Sequence, residues 1–124
     1  MNKPTSIKFI QIPVKDLKRA THFYSNGLGL NYLYDADGCA YYSLGNIEII
    51  LDPNLNTDSN FISYFLEDDE IKETFQKLIE YGATAVSLPE VYSYFKDKEQ
   101  WRATLLDTEG NSFGITADIW NDYF

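Results

Sequence analysis

The chain has 124 residues, a single cysteine and a formal net charge of −9. This length suits one domain with a hydrophobic core, and the excess of acidic groups argues against nucleic acid or an anionic membrane as a partner. Because Cys39 is alone, an intrachain disulfide is excluded and a reducing compartment is indicated. No apolar stretch reaches membrane-spanning length, so we expect a cytoplasmic protein.

The first half begins with a strand and a helix. Residues 7–14 alternate in the manner of a strand with one aliphatic face. Asp16 suits the start of the next helix, residues 17–28 have apolar side chains at helical spacing, and Gly29 suits the exit. Glycine-containing turns then separate three predicted strands, at residues 31–35, 39–44 and 47–52.

The second half follows a polar connector at residues 53–59. It contains a predicted helix over residues 69–81 that ends at Gly82. Residues 89–100 are charged and aromatic and are predicted to form a loop, either a lid over a site or a plain surface excursion. The predicted strands of this half are residues 61–66, 84–88, 101–106 and 113–119.

An internal repeat relates the two halves. Asp16 precedes Gly29 by thirteen residues, and Asp69 precedes Gly82 by the same distance. Each Asp follows an apolar run and each Gly ends a helical pattern, so one strand–helix unit occurs twice. We therefore predict an α+β domain over residues 1–124, with module one at 1–56 and module two at 57–124.

Three stretches of the sequence match a known pattern: IPVKDLKRATHFYSNGLGL (residues 12–30), FLEDDEIKETFQKLIEYGA (65–83) and LLDTEGNSFGI (105–115). With them the chain resembles the vicinal oxygen chelate superfamily of glyoxalase I, bleomycin-resistance proteins and extradiol dioxygenases. Within it, the chain looks most like poorly characterised proteins related to lactoylglutathione lyase. The resemblance implies two βαβββ modules whose mixed sheets form a cup, helices outside, a site in each cup and a homodimer.

The resemblance also implies four metal-ligand positions, one on the first and one on the last strand of each module. Counting from the matching motifs gives Phe9, Glu48, Ser63 and Gly114. Phe and Gly offer no ligand atom and Ser is a weak ligand for zinc or nickel, so Glu48 is the one credible ligand. Gln11 joins it only if the register shifts by two residues. We expect no complete metal site and no cofactor, with a divalent metal such as zinc or nickel as the alternative.

Two charged residues are the main candidates for chemistry. Glu48, on the cup face of a strand, is a general base, a partner for a cationic ligand, or a structural partner of Arg102 or Gln11. Arg102 either clamps a carboxylate or phosphate or forms a surface salt bridge. The aromatic residues Tyr41, Tyr42, Phe65 and Trp101 form either stacking walls or core. The predicted ligand-binding residues are Phe9, Gln11, Tyr42, Glu48, Ser63, Phe65, Trp101, Arg102 and Gly114.

Two functions stay open at this point. One is binding of a small cationic or aromatic molecule in the cup without a full metal site. The other is a glyoxalase-like lyase or isomerase that uses Glu48, with or without a divalent metal. His22 is expected to be solvent-exposed, and Cys39 has no catalytic motif beside it, so neither residue is assigned a role.

Overall fold

The computed structural model describes residues 2–55 and 64–120. The chain folds into two compact units, unit 1 at residues 1–59 and unit 2 at residues 60–124. Each unit has its own four-stranded sheet in the described residues. That the two units together make one domain, as the sequence led us to expect, stays a prediction.

In unit 1 one helical segment connects the first strand to the second along the chain. The strand order is β1-β4-β3-β2, with β1 parallel to β4 and the other neighbours antiparallel. A π-helical turn, Phe23–Gly27, continues the helix. The elements are β1 (Phe9–Pro13), α1 (Leu17–His22), β2 (Asn31–Ala36), β3 (Cys39–Leu44) and β4 (Ile47–Asp52).

Unit 2 has the same arrangement. Its strand order is β5-β8-β7-β6, with β5 parallel to β8 and the other neighbours antiparallel. The elements are β5 (Tyr64–Glu67), α2 (Ile71–Glu80), β6 (Thr84–Phe95), β7 (Lys98–Leu106) and β8 (Ser112–Trp120). A strand, a helix and three further strands therefore occur twice, which confirms the predicted α+β class and the βαβββ order. No helix within the described residues is long and apolar enough to cross a bilayer.

A carboxylate accepts hydrogen bonds near the start of each helix, but the two carboxylates do not stand at equivalent positions of the two units. Asp16 accepts a hydrogen bond from the Arg19 amide at 3.1 Å. In unit 2 the carboxylate that makes such bonds belongs to Asp68, two residues before the N-cap Glu70, and it accepts from the Glu70 amide at 2.9 Å and from the Thr74 hydroxyl at 2.7 Å. The exposed Asp69 makes no such bond. Helix α2 accordingly begins at Ile71, two residues later than predicted.

The core of each unit lies between its sheet and its own helix. In unit 1 it includes Ile12, Phe23 and Leu51, all fully buried, and in unit 2 it includes Leu78 and Leu105. Strand side chains alternate between two faces, so every second residue points away from that helix. We call this second face the open face of each unit. In unit 1 it includes Phe9, Gln11, Tyr41, Ser43, Glu48, Ile50 and Asp52, and in unit 2 it includes Phe65, Glu67, Glu90, Arg102, Thr104, Gly114, Thr116 and Asp118.

The prediction of a loop over residues 89–100 is wrong. Strand β6 continues to Phe95 and pairs with β7, which begins at Lys98. Pro89 has no amide hydrogen to donate, and it lies where the register shifts between Ser87 and Glu90. The irregular pairing absorbs the proline, so the hairpin continues past it.

Candidate functional site

The open face of unit 1 brings Phe9 and Glu48 together. The two residues are partners in the parallel ladder between β1 and β4, and Ser43 is the partner of Glu48 on β3. Phe9 is 45% exposed and Glu48 is partly exposed. Gln11 pairs with Ile50, one row farther along, and its amide donates to the Asp52 carboxylate at 3.4 Å. The amide of Gln11 therefore contacts Asp52 and not Glu48.

A stacked aromatic pair lies on the same face. The rings of Tyr34 and Tyr41 have centroids 4.9 Å apart and are inclined by 26°. Loss of solvent contact raises the pKa of the Tyr41 hydroxyl, and nearby groups that include Cys39 and Glu48 raise it further. A flat aromatic surface thus lies beside a carboxylate, an arrangement that suits stacking with a planar molecule.

Tyr42 does not line this face. Its side chain is fully buried under the helical segment, where its hydroxyl hydrogen-bonds the Ser25 hydroxyl at 2.8 Å and donates to the Thr21 carbonyl at 3.3 Å. Since adjacent strand residues point to opposite faces, only one of Tyr41 and Tyr42 can reach the open face. Tyr42 is a core residue, and its inclusion among the ligand-binding residues is corrected here.

The open face of unit 2 is built around Arg102. The guanidinium carbon lies 3.7 Å from the ring centroid of Tyr92 and 5.2 Å from that of Phe65. The Nε of Arg102 donates to the Gln100 side chain at 3.0 Å. Phe65 is the ladder partner of Gly114, and its ring occupies the space that a side chain at Gly114 would take. One cation and two aromatic rings therefore share one surface.

Trp101 points the other way, toward α2. The Nζ of Lys72, on α2, lies 4.9 Å from the centroid of the Trp101 ring, and the indole N–H donates to Glu99 at 3.2 Å. The sequence led us to expect Trp101 on the same surface as Arg102. Its side chain lies on the opposite face of the sheet instead. Two residues of the surface that carries Arg102, Tyr92 and Gln100, were missed because the segment was predicted as a loop. The run of strand-forming residues at 91–95 was the available signal for a strand.

Cys39 and His22 have the surroundings that the sequence indicated. His22 is exposed on α1 and hydrogen-bonds Asn26 at 3.0 Å. The Cys39 thiol is 8% exposed and donates to the carbonyl oxygen of Asp37 at 3.8 Å. Burial raises the pKa of this thiol above its ordinary 9.0, and the hydrogen bond and negative charge of Asp52 raise it further. The thiolate that nucleophilic chemistry needs is therefore disfavoured.

We expect the Cys39 thiol of the folded protein to react with a disulfide reagent at pH 8 at least about tenfold more slowly than that of the urea-unfolded chain. Because the raised pKa keeps the thiol protonated, its contribution to stability is complete below pH 9.0 and is lost as the pH rises through the raised value. Stopped-flow absorbance measures the rates, and Cys39→Ser must abolish the signal. Equal rates in the two states would contradict this environment.

The family model of the Glyoxalase/Bleomycin resistance protein/Dioxygenase superfamily matches residues 6–114. The chain belongs to this superfamily. The match spans both sheets and includes Phe9, Glu48, Phe65, Arg102 and Gly114. No protein with a curated description matches the sequence.

Solved structures of superfamily members and related proteins have the same fold. A hypothetical protein, SA1046 from S. aureus, is 21% identical, with 94% of this chain and 95% of that chain covered and a TM-score of 0.71. A family enzyme from Burkholderia phytofirmans PsJN is 18% identical, with 91% and 98% covered and a TM-score of 0.77. TnmS3, an antibiotic binding protein from Streptomyces sp. CB03234, is 19% identical, with 94% and 98% covered and a TM-score of 0.71. At these identities the likeness concerns the fold alone.

Two matched backbone bonds relate the sheets of this superfamily member. The Val14 amide donates to the Asp52 carbonyl at 3.2 Å, and the Asp68 amide donates to the Thr116 carbonyl at 2.9 Å. Counting back two residues from each acceptor makes Ile50 the counterpart of Gly114. Glu48, the position that the resemblance implies, lies one row away from Ile50 on the same face.

The side chains at the implied metal positions do not fit a divalent ion. Phe9 and Gly114 offer no side-chain ligand atom, Glu48 supplies a single carboxylate, and Ser63 lies outside the described residues. Within residues 2–55 and 64–120, no group of three His, Cys, Asp or Glu side chains is arranged to hold a metal. The side chains at these positions therefore do not support a metal-dependent reaction of this superfamily member.

Proposed function

We propose that the protein binds a small, planar organic molecule on the open faces of its sheets, without a metal ion. The observation that carries the proposal is the position of Phe65, whose ring lies over Gly114. The position at which the resemblance implies a metal ligand is here covered by an aromatic ring. Such a ring offers apolar contact area and no donor atom for a cation.

The exposed aromatic side chains support the same proposal. Phe65 and Tyr92 are 42% and 64% exposed in unit 2, and Tyr34 is 50% exposed in unit 1. A cluster of exposed rings with a few polar groups is typical of a binding surface. The antibiotic binding protein TnmS3, which has the same fold, is named for the binding of a small molecule. Neither the compound nor a reaction is implied by this likeness.

A thermal-shift screen of metal-depleted protein tests the proposal. Planar aromatic compounds that are neutral, anionic or cationic should include some that raise the melting temperature, because a ligand of the native state stabilises it by mass action. Phe65→Ala should weaken this shift. Tyr94→Ala is the matched control, since it removes an exposed ring from β6 at a residue paired with Glu99.

The alternative is a glyoxalase-like lyase or isomerase that uses Glu48. It predicts one tightly bound zinc or nickel ion per chain after mild purification, or turnover that Glu48→Gln abolishes. Either result would replace the binding proposal. The homodimer and the cytoplasmic location also stay predictions, and light scattering tests the homodimer by comparing the mass in solution with the 14.3 kDa of one chain.

A further inference from the structure

The guanidinium of Arg102 lies beside two aromatic rings and one side-chain amide. Tyr92 and Phe65 contact the flat guanidinium group, and Gln100 accepts from its Nε. These contacts use the planar faces and one of the five N–H donors of the group. The two terminal nitrogens have no hydrogen-bond partner in the described part of the chain. A pair of oriented donors is thus left available beside an aromatic surface.

Nearby carboxylates do not neutralise this cation. Glu90 is the cross-strand partner of Arg102, and Glu67 on β5 lies in the same row of the sheet, with Thr116 of β8 between the two. Neither carboxylate comes within 4.0 Å of the guanidinium, and the salt bridge between charged side chains of this sheet joins Lys98 to Asp118 at 3.3 Å. A partly buried arginine is usually matched by an anion, because its charge loses hydration there. In the described residues this match is missing.

We infer that the open face of unit 2 binds a planar aromatic molecule that carries an anionic oxygen group, a carboxylate or a phosphate. The two terminal nitrogens of Arg102 form a fork that donates two parallel hydrogen bonds to such a group. The aromatic part of the ligand lies against Tyr92 and Phe65, whose rings also hold the guanidinium in place. This inference rests on the proposed function and adds the charge of the ligand.

The overall charge of −9 makes a cationic or neutral ligand electrostatically easier to bind than an anionic one. The net charge describes the average surface, whereas a group that contacts Arg102 lies within a few ångströms of a positive charge. At physiological salt, exposed charges more than about 8 Å apart are largely screened from each other. A group bound directly to Arg102 therefore experiences this cation more strongly than the average charge of the surface. Unit 1, where Glu48 and Asp52 share the open face, is the part that favours a cation.

Three naphthalene derivatives that share the ring system and differ in charge separate these possibilities: 2-naphthoate, neutral 2-naphthamide of nearly the same shape, and the 2-naphthylmethylammonium cation. Isothermal titration uses the full chain at about 0.15 M salt. We expect the wild-type protein to bind 2-naphthoate about tenfold or more tightly than 2-naphthamide. Naphthyl phosphate in a parallel titration tells whether a phosphate serves as well as a carboxylate.

Variants of the two arginines test where the anion binds. Arg102→Met should bring the affinity for 2-naphthoate down to that for 2-naphthamide and leave the latter unchanged within about twofold. Arg102→Lys, which keeps the charge and loses the fork, should fall between the two. Arg19→Met, on the exposed surface of α1, is the matched control and should bind as the wild type does. Circular dichroism verifies that each variant is folded.

The outcomes distinguish this inference from the proposed function. Equal binding of the anion and the amide, or a preference for the ammonium compound, overturns the inference and leaves small-molecule binding intact. Tight binding of 2-naphthoate that survives Arg102→Met also overturns it, because the anion then binds elsewhere. If none of these compounds binds the wild-type protein, the inference and the binding proposal both fail. The comparison of ligands on the wild type decides the matter even if Arg102→Met does not fold.

Discussion

We expect Asp107→Ala to lower the free energy of unfolding by about 3 kcal/mol. Asp107 is 3% exposed and lies in the turn between β7 and β8. One carboxylate oxygen accepts from the amides of Glu109 and Asn111, both at 2.8 Å, and the other accepts from the Asn111 side chain at 3.0 Å. Alanine leaves these donors without this acceptor in a buried setting, which costs more than the bonds contribute when they are made.

Urea unfolding followed by circular dichroism measures the loss. The matched control is Asp69→Ala in the same unit, because Asp69 is an exposed carboxylate that caps no helix. This control should change the stability by no more than about 0.5 kcal/mol. Asp107→Asn retains one oxygen acceptor, so its effect should be smaller than that of alanine. A loss no larger than the control's would show that the carboxylate does not organise the turn.

The elements with clear periodicity could be predicted from the sequence. Helix α2 and strand β4 lie within two residues of their predicted bounds, because apolar side chains recur there at the spacing that one buried face requires. The hairpin of β6 and β7 could not be predicted, because its strands stay paired beyond Pro89 only through a shift in register. Proline and charged residues are normally signs of a loop, and only the partner strand shows that they are tolerated here.

The side-chain faces were harder to predict than the strands. Tyr41 and Tyr42 are adjacent, as are Trp101 and Arg102, so an error of one residue exchanges the core for the open face. Each pair offers two large side chains that suit either environment. The contacts with α1 and α2 decide between them, and these contacts join residues far apart in the sequence. The neighbours of Arg102 could not be predicted from the sequence either, because only the pairing of the strands brings them beside it.

Gly114→Ala should lower the free energy of unfolding by about 1–3 kcal/mol. A Cβ built on Gly114 collides with the ring of Phe65 and comes within 2.9 Å of the Ala103 carbonyl oxygen. The backbone of Gly114 does not have a positive φ, so alanine suits its conformation and the cost arises from lack of space. The ring must move off the glycine to make room for the methyl group.

A double-mutant cycle separates this steric effect from others. If the ring is the obstacle, Gly114→Ala should cost less in a protein that already carries Phe65→Ala, with a coupling energy of about 1 kcal/mol or more. Additive losses would mean that the collision with the Ala103 carbonyl dominates instead. In the coupled case, Gly114→Ala should also weaken the binding of 2-naphthamide, because the displaced ring no longer offers its surface beside Arg102. Glycine at this position then serves the aromatic surface directly, since any side chain would occupy the place of the Phe65 ring.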